Sequence, residues 1–174
     1  MDAIENLMTR RSVRSFTNQA IAERDLQVIL DAARYAPSGR GLQLWKFTVL
    51  KNKGLMKELA HRIADQIGRD YDYNFYGPDT LILVSNERDN PHGIADSACA
   101  LENIFLAAHA LGIGSVWINQ LNGICDCPAV REVLTQLQIP DSHVVWGMAA
   151  LGYAGETVKE ADKRPASETV SWIL

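Results

Sequence analysis

The stretch Pro91–Leu111, PHGIADSACALENIFLAAHAL, decides the architecture. Its length and period predict one long helix, in which Ile94, Ala98, Leu101, Ile104, Phe105, Ala108 and Leu111 surround the axis and leave a thin polar stripe. Such a helix has almost no face to give to solvent. The chain has 174 residues and 47% hydrophobic content, which suits one domain with a sizeable core. In a domain of that size the helix runs through the middle, and a second copy of the chain covers what the domain leaves open.

Working toward the N-terminus, a buried strand is predicted at Thr80–Ser85, where TLILVS is short and continuously apolar. Before it lie a helix over about 53–68, with Leu55, Leu59, Ile63 and Ile67 on one face, and a strand at Trp45–Leu50. Leu26, Ile29, Leu30 and Ala33 mark an earlier amphipathic helix, which Pro37 and Gly39 end, and Ala3–Met8 forms one or two helical turns. Toward the C-terminus come a strand at Ser115–Ile118, a helix opened by Pro128, and a last strand at about 144–153. The tail 154–174 is polar but closes on Trp172, Ile173 and Leu174, an end suited to docking on a partner subunit. This order predicts a single α+β domain over 1–174, with helices flanking a mixed four- to five-stranded sheet.

The net charge of −4, from 17 basic and 21 acidic residues, argues against nucleic acid as a partner. No apolar run serves as a signal peptide or a membrane span, which places the protein in the cytoplasm. Cys99, Cys125 and Cys127 match neither a redox CxxC nor a zinc knuckle and read as reduced thiols. His61, His92, His109 and His143 are too scattered for a metal site. There is no GxxxxGK[ST] loop, and the pairs Gly39/Gly41 and Gly112/Gly114 lack the third glycine of a dinucleotide fingerprint. Trp45 and Trp117 read as core. The segment DYDYNFYG, with Tyr71, Tyr73, Phe75 and Tyr76, reads as a loop that either caps a flat ligand or packs on its own helix.

The densest chemistry is RRSVR, Arg10–Arg14. In an extended segment Arg10, Ser12 and Arg14 share one side, and Arg11 and Val13 take the other. Two guanidinium forks and a hydroxyl would then meet a phosphate together. A solvated basic turn fits the same residues.

Four stretches occur in order: RRSVRSF near the start, APSGRGLQLWKF at Ala36–Phe47, LGIGSVWIN at Leu111–Asn119 and LGYAGE at Leu151–Glu156. Together they resemble the nitroreductase-like family of FMN-dependent oxidoreductases, in its short single-domain form. The resemblance implies an intertwined homodimer with two FMN molecules at the subunit interface. It gives Arg10, Arg11, Ser12 and Arg14 to the FMN phosphate and the pyrimidine edge of the ring. Pro37 and Ser38, with Gln43 just downstream, would approach the flavin from the other subunit. Trp117, Ile118, Asn119 and Gln120 would place backbone groups beside the reactive edge. Asn74 would make a middle contact, and Lys163 or Arg164, ahead of Pro165, a further phosphate contact. Where relatives commonly read N-x-Q-P-W, this chain has Gly41, Leu42, Gln43, Leu44 and Trp45.

The implied activity is NAD(P)H-dependent reduction of nitro compounds or quinones by a ping-pong scheme, with hydride transfer through flavin N5 and no catalytic side chain. NADH or NADPH would share the pocket of a small-molecule electron acceptor, since no segment reads as a separate dinucleotide fold. Two other readings share the resemblance. One is another FMN-dependent redox step (dehalogenation, dehydrogenation or flavin breakdown), and the other is a flavin-binding protein with little turnover.

Overall fold

In the computed structural model, residues 1–69, 72–158 and 163–173 are described. Four strands, β1 (Trp45–Leu50), β2 (Thr80–Glu87), β3 (Gly114–Ile118) and β4 (His143–Gly152), form one sheet in the order β1-β2-β4-β3. Along the two central strands nearly every side chain is buried on one face or the other, the exceptions being Glu87, Val144 and Trp146. Leu81, Leu83, Met148 and Ala150 point to a core built with α3 (Lys53–Ile67) and α5 (Pro128–Gln136). Ile82, Val84, Ala149 and Leu151 point to a second core built with α2 (Glu23–Arg34) and α4 (Gly93–Ala110). This is the period-2 alternation of strands sandwiched between two helical layers.

All three strand pairings are antiparallel, whereas interleaved helices and strands suggest a mixed sheet. The difference arises after α3. Gly68 terminates the helix in the left-handed conformation, and β2 starts at the end of the sheet where β1 stops, so Leu50 pairs with Leu81. Among the described residues, parallel pairing occurs at the isolated bridge Ser12–Ser115.

The helix α4 packs Leu101, Ile104, Phe105 and Ala108 into the second core. Its polar stripe does not face water throughout. Asp96 and Ser97 are buried, and Asn103 donates from Nδ2 to Ala32 O at 2.8 Å, pinning α2. Against its other flank lies α1 (Ala3–Thr9), where Asn6 Nδ2 donates to Leu106 O at 3.0 Å. None of the residues of α1 is buried, and Ile4, Leu7 and Met8 are all exposed. A short α6 (Ala166–Thr169) lies in the tail, where Trp172 and Ile173 are exposed.

The sequence opens two readings for the aromatic segment 70–77, and the structure separates its residues. Phe75 is fully buried in the first core, and its ring meets Tyr73 edge-on at 5.0 Å. Tyr73 is half-buried, with its phenol pushed up by desolvation and opposed by the nearby Arg69 guanidinium. Tyr76 is exposed. Tyr71 lies outside the described residues. The cysteines are free thiols, and Cys125 is buried in the first core, where burial raises its pKa.

At the other end of the sheet Asp126 bridges Arg88, at 2.7 and 2.8 Å, and Arg131, at 2.9 Å. Hydrogen bonds from these two guanidinium groups lower its pKa to about 2. A carboxyl whose folded pKa is depressed adds stability above its unfolded value, about 4, and loses it as pH falls toward the folded value. Wild type and Asp126→Asn should therefore differ in urea midpoint at pH 7 and converge between pH ~4 and pH about 2. A gap that persists at the acid end would contradict this assignment.

Candidate functional site

The arginine segment is held along the free edge of β3. Val13 N donates to Ser115 O at 2.9 Å, Thr17 N to Tyr153 O at 2.8 Å, and Gly155 N to Ser15 O at 2.8 Å. Val13 plugs inward, and a Cβ on Gly114 would sit 2.8 Å from Val13 Cγ2, so only glycine permits this approach. Alternation then turns Arg14 outward, exposed and without an ion pair among the described residues.

Alternation fails one step earlier. Arg10 is the C-cap of α1, so Arg10 and Arg11 line the same cavity instead of opposite faces. That cavity, about 450 Å³, is walled by Thr9, Val13, His109 and residues 112–115, and no carboxylate lines it among the described residues. The Arg10 guanidinium lies over the Phe105 ring at 5.8 Å, with Nε 3.5 Å from Glu102. Its terminal nitrogens have no partner among the described residues. Arg11 donates from Nη1 to Met8 O at 2.8 Å and Arg10 O at 2.7 Å, satisfying the end of α1, while its Nε is buried and unpaired among the described residues. Ser12 bridges Ser115 through the backbone.

Sequence reasoning missed His109, whose Nε2 lies 2.9 Å from Thr9 Oγ1 on the cavity wall. Burial, then the Arg10 and Arg11 charges, lower its pKa, so a neutral imidazole faces the cavity at pH 7. The signal for it is positional. Glu102, Phe105 and His109 follow one another along α4, on the side where the arginines land.

The other expected residues lie elsewhere in the chain. Trp117, read as core, is 40% exposed on the edge strand β3. Its ring stands 6.1 Å from Phe105, extending the Arg10–Phe105 stack, and Gly147 leaves the room it occupies, since a Cβ there would lie 2.6 Å from Trp117 Nε1. Ile118 is buried, Asn119 is exposed, and Gln120 Oε1 is buried without a partner among the described residues. Asn74 opens onto a second cavity of about 940 Å³ with Asn18, Lys57 and Tyr73, at the far end of the arginine segment. Lys163 and Arg164 are exposed in the tail, and Arg164 pairs with Glu168 at 3.6 Å.

Pro37, Ser38 and Gln43 sit on the link between α2 and β1, beside the N-terminal end of α4, and none of them lines the arginine cavity. Ser38 Oγ accepts from Gln43 N at 3.2 Å. Gly41 has φ 68° with open space around it.

The profile of the Nitroreductase family matches residues 7–153, and the chain belongs to that family. An Archaeoglobus fulgidus protein named as an NADH dehydrogenase/NAD(P)H nitroreductase is 31% identical over 170 residues, covering 94% of this chain and 92% of the relative. The NADPH-flavin oxidoreductase of Vibrio harveyi is 26% identical over 97% of this chain and 72% of its own length. Among solved structures, the nitroreductase of Bacteroides fragilis with bound FMN superimposes with a TM-score of 0.90 at 38% identity, covering 100% of both chains.

Proposed function

We propose that this chain is an FMN-dependent NAD(P)H oxidoreductase that binds the cofactor phosphate in the Arg10–Arg11 cavity and works as a homodimer. The observation that carries the reading is that cavity: two guanidinium groups, a neutral imidazole and a hydroxyl line it, with no carboxylate among the described residues. The two guanidinium charges fit a phosphate dianion. The named relatives and the FMN-bound neighbour support the cofactor and the electron donor.

FMN, when bound, supplies the atom that accepts and gives up hydride. The chain's residues bind and orient it. Glu102 and the Phe105 face fix the Arg10 side chain while leaving its terminal nitrogens for phosphate oxygens. Arg14, exposed and unpaired among the described residues, offers a positive charge to the ring's electron-rich edge.

The pairing of chains is supported by two features. The exposed Ile4, Leu7 and Met8 of α1 and the Trp172–Ile173 end are apolar surface suited to burial against a second copy. Asp96, beside the Ser38 loop, and His109, on the cavity wall, lie ~20 Å apart along α4 at the rise of an α-helix. In this reading, a flavin touched by both the loop and the cavity takes them from different chains. Nitro compounds or quinones are the acceptor class in this reading.

The test is an absorbance spectrum of the purified protein under anaerobic conditions, before and after NADH or NADPH. Rapid bleaching of a yellow protein is expected. A flavin that stays oxidised would point to another FMN-dependent step or a low-turnover binder, and a protein that takes up no FMN would end the reading.

A further inference from the structure

We propose that Asp96 is a positioning residue for this reaction: its buried carboxylate sets the shape of the 38–43 loop that meets the flavin held by the partner subunit. The inference rests on the FMN reading above.

Asp96 is 4% exposed, and no lysine, arginine or histidine pairs with it among the described residues. A buried carboxylate without a cation is costly unless hydrogen bonds hold it. Two do. Oδ1 accepts from Gly39 N at 2.8 Å and Oδ2 from Asn90 Nδ2 at 3.1 Å. The same Asn90 amide donates to Asn86 Oδ1 at 3.0 Å, and Asn86 is itself fully buried, so the clamp is anchored in β2. The first turn of α4 adds its own positive end.

The loop needs such a clamp. Arg40 and Gln43 sit at φ 56° and 51°, in the left-handed region that L side chains rarely adopt. Strain of this kind survives only where the surroundings over-determine it. Inside the loop, Gly41 N donates to Ser38 O, Leu42 N to Gly39 O and Gln43 N to Ser38 Oγ. The bond to Asp96 ties that self-closed turn to the body of the domain. Gly39 allows it by lying flush against His92, since a Cβ there would be 2.5 Å from His92 Cδ2. A leucine at position 96 would fill the same space but leave Gly39 N–H without an acceptor.

No residue of the loop lines the arginine cavity of its own chain. Besides the axial separation from His109, Asp96 and Glu102, where Arg10 sits, are turned ~120° from each other around α4 at 3.6 residues per turn. The clamp therefore acts across the dimer.

Mixed dimers test this. Differently tagged chains carrying Arg10→Ala and Asp96→Ala are co-expressed, purified through both tags and titrated with FMN. The Arg10→Ala homodimer is expected to bind FMN roughly ten- to hundredfold more weakly than wild type and the Asp96→Ala homodimer about tenfold, each through loss of a charge-assisted hydrogen bond. In the mixed dimer one site collects both defects and the other collects neither, so half of the sites recover wild-type affinity. A merely structural Asp96 would damage its own chain's site, leave one defect in each site and give no recovery, which overturns the proposal. Wild-type affinity in the Asp96→Ala homodimer overturns it equally, as does a monomeric protein. Asp96→Asn, which keeps an oxygen for Gly39 N–H, should retain most of the affinity. If Asp96→Ala does not fold, Asn90→Ala takes its place, with a loss of about threefold and the same half-site recovery; no loss or no recovery refutes the assignment. Wild type that binds no FMN removes the cofactor reading itself, whereas wild-type binding without recovery removes only this role for Asp96.

Discussion

Replacing Arg10 by alanine should weaken FMN binding roughly ten- to hundredfold, since a hydrogen bond between charged partners contributes about 1.5–3 kcal/mol. Arg10 is the stronger choice of the two cavity arginines. Its terminal nitrogens are uncommitted among the described residues, whereas Arg11 already donates to two carbonyls at the end of α1. The fold should tolerate the change, because the Glu102 carboxylate left behind is 48% exposed and can be hydrated. Flavin fluorescence titration beside a thermal melt separates the two effects. Arg11→Ala should show the opposite balance, with a larger loss of melting temperature and a smaller loss of affinity. Unchanged flavin retention in both Arg10→Ala and Arg14→Ala would refute the phosphate assignment.

Phe75→Ala should destabilise the domain by about 3–5 kcal/mol, as expected for truncating a buried aromatic side chain. Phe75 is fully buried among residues from α3, β2 and α5, and its edge-on contact with Tyr73 goes with it. Its φ of 58° gives no relief, because alanine carries the same Cβ penalty in the left-handed region. Urea denaturation reads the change directly, and a loss below ~1 kcal/mol, the size of a surface effect, would show that Phe75 is not a core residue. Tyr76→Ala, on the exposed neighbour, is the control and should leave the midpoint nearly unchanged.

Elements whose signals are local were legible in the sequence. The strand Trp45–Leu50 has the boundaries expected of it, Pro128 opens α5, and Gly68 closes α3. Strand direction was not legible, because it depends on which end of the sheet β2 starts from and not on any periodicity. The arginine cluster pointed to a segment that lines a cavity, but the assumption of a uniformly extended segment misplaced Arg10, which ends a helix. Trp117 illustrates the limit of reading burial from residue type, since an edge strand can leave a large ring half open. Asp96 was hidden for a related reason. Within an apolar helix an acidic residue reads as part of the solvent stripe, and only the tertiary approach of Gly39 turns it into an acceptor.

The pairing of the arginine segment with β3 has one further consequence. An unpaired strand at the border of a sheet is a template on which other chains can polymerise. Residues 12 and 13 occupy that border at Ser115, so the peptide proposed to hold the cofactor also serves as a guard rail against sticky self-association. Tightening this strip and keeping the molecule in solution are therefore one physical task, assigned to the same few amino acids.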